Sequence, residues 1–371
     1  MSKLAVLEFV RTFPEDWKRR LKDDYQIKIT EKKPYIMLHY DIGADFNKQI
    51  VRECRSLILR EDIVSDRSTT YTVVAMPFFK FGNYGESYAD EINWAKAEVQ
   101  EKIDGSMIIV WRDINGVHVS TSGCIDAADA PLPPNSAGFS NYRELFDYAA
   151  KFQKADITKL PVPYTWIFEL ASPYNRVVVP YKKPALYMIG CRNIYTYEEC
   201  KPWDAEARGF LVPKIYSLGS LDKCIEAAEK LPYDDEGFVV VDKNWHRVKV
   251  KSPAWVAVHH FIGNGFMSEK RLLKILDDAP EFLTYFPEYT ETIKELEFEI
   301  KNICEDIDRI FGSIKNVFVN RADFAKYVLQ TPYSSALFAM RDEKIKTGYE
   351  FWNQLTTDKK ARFLENVRNK K

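Results

Sequence analysis

The sequence predicts an α+β protein in two parts: antiparallel sheets with flanking helices over residues 1–252, then an all-α domain over residues 253–371. Two observations carry this. From about residue 25 to 252, short apolar runs rich in β-branched and aromatic residues, many of them alternating, are broken by Gly, Pro, Asn and Asp, as in strands joined by turns. After Pro253 the apolar residues recur at helical spacing, with charge on the other faces.

In chain order, the opening Met1-Ser2-Lys3-Leu4-Ala5-Val6 has no long apolar run, the expectation for a cytoplasmic protein. Arg55–Arg60, Tyr71–Ala75, Met107–Trp111 and Val117–Thr121 read as strands. Residues 125–140, rich in Ala, Pro, Ser and Asn, read as an exposed loop. Tyr142–Phe152, with Leu145, Phe146 and Ala149 on one face, and Leu221–Lys230, ahead of a proline, read as helices. Beyond the boundary, Ser268–Leu276, Tyr289–Phe311, Arg321–Leu329 and Ser334–Leu355 carry the helical pattern. The stripe Ile293, Leu296, Ile300, Ile303, Ile307 and Ile310 reads as helix-packing core, and Trp255, Tyr327 and Trp352 as core aromatics.

Composition narrows the class. A chain of 371 residues with 46% apolar content can bury a sizeable core. Its 53 Lys+Arg nearly balance 54 Asp+Glu, so any nucleic-acid surface must be local rather than a global positive field. Cys54, Cys124, Cys191, Cys200, Cys224 and Cys304 are scattered without a C-x-x-C pair, and zinc-site spacing is missing, so reduced thiols are the simpler reading. No apolar stretch reaches the length needed to cross a bilayer.

Chemistry concentrates in four segments. Lys102-Ile103-Asp104-Gly105-Ser106 places a lysine and a tight turn directly after an apparent strand. A lysine attacks phosphorus only as the neutral amine, so its pKa must fall through burial or nearby positive charge. Lys249 and Lys251, alternating on one strand face, are the candidate cations, and they would also stabilise charge on a departing phosphate. Taken alone, that strand would be a solvated edge with outward lysines. Gly105 suits a turn where backbone approaches a ligand, and Ser106 can donate to phosphate. Glu169 and Glu236 stand beside apolar runs, where a carboxylate needs a hydroxyl, a cation or a metal as partner; a strand lysine would also serve. Asp104 is equally ambiguous.

Taken in order, Lys102–Ser106, Trp166-Ile167-Phe168-Glu169, Asp235–Val241 and Val248–Ser252 resemble motifs I, III, IV and V of the covalent nucleotidyltransferases, which hold a nucleoside monophosphate on lysine. Within that superfamily the chain is most similar to the ATP-dependent RNA ligases of the phage RNA ligase 1 group, relatives of the adenylyltransferase domain of fungal tRNA ligases. Glu53-Cys54-Arg55 is similar to the group's Glu-Cys-Arg-Gly element and Pro77-Phe78-Phe79-Lys80-Phe81 to its Lys-Phe-Phe element. Pro173-Tyr174-Asn175-Arg176-Val177-Val178 resembles an extension of motif III that favours RNA ligase over DNA ligase.

The resemblance implies a nucleotidyltransferase (ATP-grasp-like ligase) domain with ATP and Mg2+ as cofactors, Mn2+ being a substitute. Lys102 would carry AMP, Glu169 would bind the ribose, and Glu236 would bind metal or its water, with Asp104 a further metal candidate. Lys249 and Lys251 would be catalytic phosphate contacts; Arg55 and Lys80 would engage the β- and γ-phosphates or later the RNA 5′-phosphate; Glu101, Ile103, Gly105 and Ser106 would complete the ATP site. The implied partner is RNA with 3′-OH and 5′-phosphate ends, a broken tRNA being one candidate. The protein would be a cytoplasmic monomer, in the host cytoplasm if phage-encoded. Residues 253–371 would form an RNA-specificity module, with Lys270, Arg271 and Lys274 as candidate backbone contacts.

Two positions depart from the pattern: Ser56 stands where the element has Gly, and Ser122, in Ser120-Thr121-Ser122-Gly123, stands where a basic residue is common. The alternatives are a DNA ligase or a capping guanylyltransferase, which append a β-barrel where this chain reads helical, and an inactive RNA-end binding protein. The intact Lys102, Glu169, Glu236, Lys249 and Lys251 argue against the last.

Overall fold

One strand, β8 (Tyr164–Ala171), shows how the core is built. Trp166, Phe168 and Leu170 point into a cluster with Leu145, Phe146 and Ala149 of a helix, while Ile167 points the other way, among Ile58, Phe78, Ile109 and Trp111. Burial on both faces explains why this segment reads as a continuous apolar run. These and all further details come from a computed structural model describing residues 4–41, 43–65, 68–202, 204–262, 268–278, 283 and 286–370; Met1, Ser2 and Lys3 lie outside the described residues.

The chain forms two units, Met1–His260 and Phe261–Lys371. In the first, described residues form α1 (Ala5–Thr12), α2 (Trp17–Tyr25), β1 (Ile27–Lys32), β2 (Tyr35–Tyr40), α3 (Gln49–Glu53), β3 (Arg55–Ser65) and β4 (Ser68–Ala75). Then come β5 (Glu98–Glu101), β6 (Ser106–Asp113), β7 (Gly116–Thr121), α4 (Tyr142–Phe152), β8, β9 (Ala185–Asn193) and β10 (Glu199–Cys200). β11 (Ile215–Tyr216), α5 (Leu221–Glu229), β12 (Gly237–Val241), β13 (Arg247–Lys251) and α6 (Pro253–Ile262) follow. The strands pair antiparallel in sheets of order β1-β2-β3-β4, β10-β9-β8-β6-β7 and β11-β5-β12-β13. The predicted α+β class with antiparallel sheets is thus the observed one.

The first two sheets pack face to face through Met37, Ile58 and Val74 against Ile109, Trp111 and Ile167. α1 and α2 cover the outer face of the first sheet with Val6, Leu7, Val10, Trp17 and Leu21, an i, i+3/i+4 pattern that the sequence reading did not single out. The Glu53 carboxylate caps α1, accepting from the Ala5 and Val6 amides at 3.1 and 2.9 Å. α5 covers the third sheet through Cys224 and Ala228.

Two expectations need correction. Residues 125–140 are not simply an exposed loop, because Ile125, Ala127, Ala130 and Leu132 are buried and Ala127 and Leu132 join the α4 cluster. Ser334–Leu355 is not one helix. It breaks into two, Ser334–Arg341 and Gly348–Gln354, across Glu343 at φ 55, a left-handed backbone that ends a helix. Gly348 lies against the long helix Thr290–Ile314 so closely that a Cβ would stand 2.4 Å from the Cys304 carbonyl oxygen.

In the second unit, α7 (Glu269–Asp278), α8 (Thr290–Ile314), α9 (Arg321–Val328), α10 (Ser334–Arg341), α11 (Gly348–Gln354) and α12 (Thr357–Lys370) pack around the buried stripe Ile293, Leu296, Ile300, Ile303 and Ile307 of α8. Ile310, the last residue of the predicted stripe, is half-buried. Trp352 is core as expected, whereas Tyr327 is 43% exposed and lies against Phe318 at 5.4 Å. Arg368 ties α12 to Glu269 and Glu299, and Lys270 pairs with Asp358. Trp255, read as part of the helical domain, belongs to the first unit and is buried there.

Because Ile167 is fully buried between the first two sheets, Ile167→Ala is expected to lower unfolding stability by about 2–5 kcal/mol, read as a shifted urea midpoint at unchanged slope.

Candidate active site

Strand register builds the site. β5 pairs with β12 so that Phe238 faces Glu101, and the Lys102 amide donates to the Gly237 carbonyl at 2.9 Å. β12 pairs with β13 so that Gly237 faces Lys251. Glu236, immediately before β12, is thereby held between two lysines: its carboxylate is 2.7 Å from Lys102 Nζ and 3.5 Å from Lys251 Nζ. Gly237 makes this possible. At φ +128 a Cβ there would meet the Val250 carbonyl oxygen at 2.2 Å, so only glycine allows the two strands to approach in this way.

Glu169 extends from the face of β8 that carries Ile167, opposite Met107 in the register with β6. Among the described residues none donates a hydrogen bond to its carboxylate. Burial pushes its pKa up to about 8; Lys102 and Arg55 oppose the shift, and Glu236 and Asp104 reinforce it.

Lys249 and Lys251 share a face of β13, with Val248 and Val250 buried on the other. Lys249 Nζ donates to the Phe81 carbonyl at 3.1 Å and stands 4.6 Å over the Phe81 ring. Burial, then Arg55, Lys80, Lys102 and Lys251, lower its pKa to about 6. Lys251 stands 4.4 Å over Trp255, and burial lowers its pKa despite Glu236. Arg55 reaches the Phe79 carbonyl at 3.4 Å and the Phe81 ring at 5.2 Å. Lys80 stands over Phe46 and Tyr40 at 4.8 and 5.3 Å, its pKa lowered by burial and by Arg55. The fold thus gathers Arg55 from β3, Lys80 from the segment after β4, and Lys249 and Lys251 from β13 into one basic cluster with Lys102.

Lys102 itself departs from expectation. Burial pulls its pKa down, but the carboxylates of Glu236 and Glu169 outweigh that, and the pKa lies above the ordinary lysine value. The neighbouring lysines do not make it a neutral amine here, because Glu236 stands closer than any of them.

The rest of the motif is committed to packing. Ile103 is buried. Asp104 Oδ2 accepts from the amides of Val178 and Val179 at 2.8 and 2.7 Å, pinning the segment after Asn175. A Cβ on Gly105 would stand 2.5 Å from the Leu170 carbonyl oxygen, so the close approach that demands glycine is to β8. Ser106 Oγ donates to the Tyr142 hydroxyl at 3.3 Å and accepts from Asn175 Nδ2 at 3.1 Å. The Glu101 amide donates to the Lys214 carbonyl at 2.7 Å, fastening β11 to the strand that carries the lysine. Phe81 and Trp255 were named in the sequence reading, but not as rings beneath the cations; the signal for that role is an aromatic directly after Lys80 and another four residues beyond Lys251. No group of three or more His, Cys, Asp or Glu suited to a metal occurs among the described residues.

Ser56 and Ser122, the two departures from the family pattern, meet. Ser56 is fully buried at φ 60, a left-handed conformation that favours glycine, and its Oγ donates to the Ser122 carbonyl at 2.7 Å. The hydroxyl offsets part of the backbone strain by fastening the 121–124 turn to the start of β3, next to Arg55.

The chain belongs to the RNA ligase family, whose model matches residues 53–255. It is 27% identical over 94% of its length to the protein assigned as a bifunctional polynucleotide kinase/RNA ligase in Autographa californica nuclear polyhedrosis virus, and spans 51% of that protein. It is 26% identical over 75% of its length to the RNA ligase of Rhodothermus phage RM378, covering 76% of it. Among solved structures, Naegleria gruberi RNA ligase with PPi is similar at 15% identity and a TM-score of 0.33, over 58% of this chain and 68% of that one.

Since Ser56→Ala loses the bond but keeps the left-handed backbone while Ser56→Gly relieves it, the glycine variant is expected to be the more stable by about 1 kcal/mol in denaturant melts.

Proposed function

We propose that this chain is an ATP-dependent RNA ligase that joins 3′-OH and 5′-phosphate ends through lysyl-AMP and RNA-adenylate intermediates. The observation that carries the reading is Lys102 Nζ at 2.7 Å from Glu236, with four basic groups gathered from three segments of the chain: Arg55 of β3, Lys80 after β4, and Lys249 and Lys251 of β13. Arg55, Lys80, Lys249 and Lys251 rest largely on rings and carbonyls, and basic groups so placed suit a polyphosphate, which would supply the missing negative charge.

A divalent cation also fits. Mg2+ is held by one or two carboxylates together with substrate phosphates, and Glu236 would supply one. A cation on Glu236 would neutralise the charge that now holds Lys102 protonated. Lys102, once neutral, attacks the α-phosphorus of ATP and pyrophosphate departs, with Lys249 and Lys251 drawing off the developing charge. Glu169 would bind the ribose. A 5′-phosphate oxygen of RNA then displaces Lys102 from AMP, and a 3′-hydroxyl displaces AMP to seal the strand.

Asp104, bound to two amides, reads as a positioning residue for the segment after motif III rather than as the first choice of metal ligand. Residues 253–371 read as a module that selects the RNA, tRNA ends among the candidates. The described residues of the second unit form helices and no strand, which favours this over the β-barrel arrangement of a DNA ligase or capping enzyme. We read the protein as a cytoplasmic monomer; no described helix is long and apolar enough to cross a membrane.

With α-labelled ATP and Mg2+, Lys102→Ala is expected to remain folded and take no label, and Glu236→Ala to lose metal-dependent labelling. Lys251→Arg, although it keeps the charge, is expected to lose about 100-fold in labelling rate, because a planar fork does not occupy an ammonium's phosphate site. Label from ATP that chases into joined 5′-phosphorylated RNA and not DNA supports the reading. Label from GTP in its place, or normal labelling of Lys102→Ala, contradicts it.

A further inference from the structure

A cavity of about 650 Å3 in the first unit is not used by the chemistry above. Its walls include Phe79 and Phe81, from the segment that carries Lys80, and Tyr197 and Trp245, from two hairpin turns. The hairpins belong to different sheets, β9–β10 and β12–β13, yet they are built alike. At the base of each stands a buried arginine, Arg192 in one and Arg247 in the other. At the tip of each an aromatic residue has a left-handed backbone, Tyr197 at φ 61 and Trp245 at φ 66. Arg192 Nη1 donates to the Tyr197 carbonyl at 3.1 Å and Arg247 Nη1 to the Trp245 carbonyl at 3.4 Å. Both arginines pair with the single carboxylate of Glu199, which locks the two sheets together. Each guanidinium also lies on a ring, Arg192 at 4.3 Å from Phe79 and Arg247 at 4.0 Å from Phe78.

A bulky residue in the left-handed region is an outlier that persists only when its surroundings impose it, and such outliers gather at ligand sites. Two of them, each tied by its carbonyl to a buried arginine, line one cavity. The lining is balanced in charge, Arg52, Arg192 and Arg247 facing Asp90, Glu198 and Glu199, so a polyphosphate is not the favoured occupant. Flat rings, together with the amides of Asn47, Gln49 and Asn244, suit a planar aromatic group with polar edges. The volume lies within the range of small-molecule pockets. Phe81 joins this cavity to the candidate active site, since Arg55 and Lys249 stand over its ring at 5.2 and 4.6 Å.

We propose that the cavity takes an unpaired nucleobase of the RNA strand whose 5′-phosphate is held at Arg55 and Lys80, with Trp245 and Tyr197 as stacking platforms. This rests on the proposed function, which places RNA at those cations. An unpaired base has a face for the rings, and its Watson–Crick edge is free for the amides. A free mononucleotide offers the same chemistry, and the experiment separates the two sources.

The test measures anisotropy of a labelled 5′-phosphorylated single-stranded oligoribonucleotide on the full chain, with label transfer from ATP read in parallel. Trp245→Ala and Tyr197→Ala are each expected to weaken binding about tenfold or more, with self-labelling unchanged and Trp245→Phe restoring most of the binding. Wild-type binding by both alanine variants overturns the proposal. So does a Trp245→Phe protein as weak as Trp245→Ala, or loss of self-labelling in step with binding. AMP or CMP competing at the oligonucleotide's own affinity would assign the cavity to a free nucleotide and overturn the RNA reading. A wild-type chain that takes no label from ATP contradicts the proposed function instead, and Trp245-dependent oligonucleotide binding then still decides the cavity.

Discussion

The ion pair between Lys102 and Glu236, closed off with Lys251 on the carboxylate's other oxygen, is the interaction on which the rest of the structure turns. Both partners leave water to form it, and removing one from a buried pair costs about 3–5 kcal/mol, since the other charge is stranded. The three strands that supply the pair are therefore held in strict register: β5 against β12, β12 against β13, with Gly237 at the one point where a side chain would push them apart. The same pair keeps the lysine protonated and unreactive. On the function proposed above, Lys102 becomes an amine only when something takes its counter-ion, which would couple nucleotide and cation binding to the chemistry through electrostatics.

Around the pair, positive charge is concentrated and supported by rings. Lys249, with a pKa of about 6, shows how strongly the cluster disfavours its own charge before an anion arrives. Phe81 serves Arg55 and Lys249 together, and Trp255 serves Lys251. A ring face lets cations such as Arg55 and Lys249 be partly buried without a carboxylate beside them. Strain is placed at the same margins: Ser56 beside Arg55, and Tyr197 and Trp245 at the neighbouring cavity, all hold left-handed backbone. Each is tied to the fold by a hydrogen bond that ends on a carbonyl, made by the residue's own hydroxyl or by an arginine.

Much of this was legible in the sequence. Alternation marked β3, β4, β6 and β7, and helical spacing marked α4, α5 and the stripe of α8, because one-sided burial leaves a periodic trace. The site residues were legible because lysines and carboxylates beside apolar strands stand out, and their order resembles known motifs. The rest depended on long-range pairing that no local pattern records. The raised pKa of Lys102 comes from a carboxylate 134 positions away in the chain. Asp104, ambiguous in the sequence, gives one carboxylate oxygen to the amides of Val178 and Val179, a contact no local pattern records. The glycine-like backbone of Ser56 explained a family departure that from sequence alone was only an irregularity.

The most direct test is the pKa of the Lys102 amine, read by competitive acetylation across pH with mass-spectrometric detection, in the wild-type chain and in Glu236→Gln without nucleotide. In the wild type the amine should titrate above the ordinary lysine value. In Glu236→Gln, with burial and the neighbouring cations left in control, it should fall below that value. A Lys102 that titrates alike in both proteins would contradict the claim that this one carboxylate holds the nucleophile in reserve.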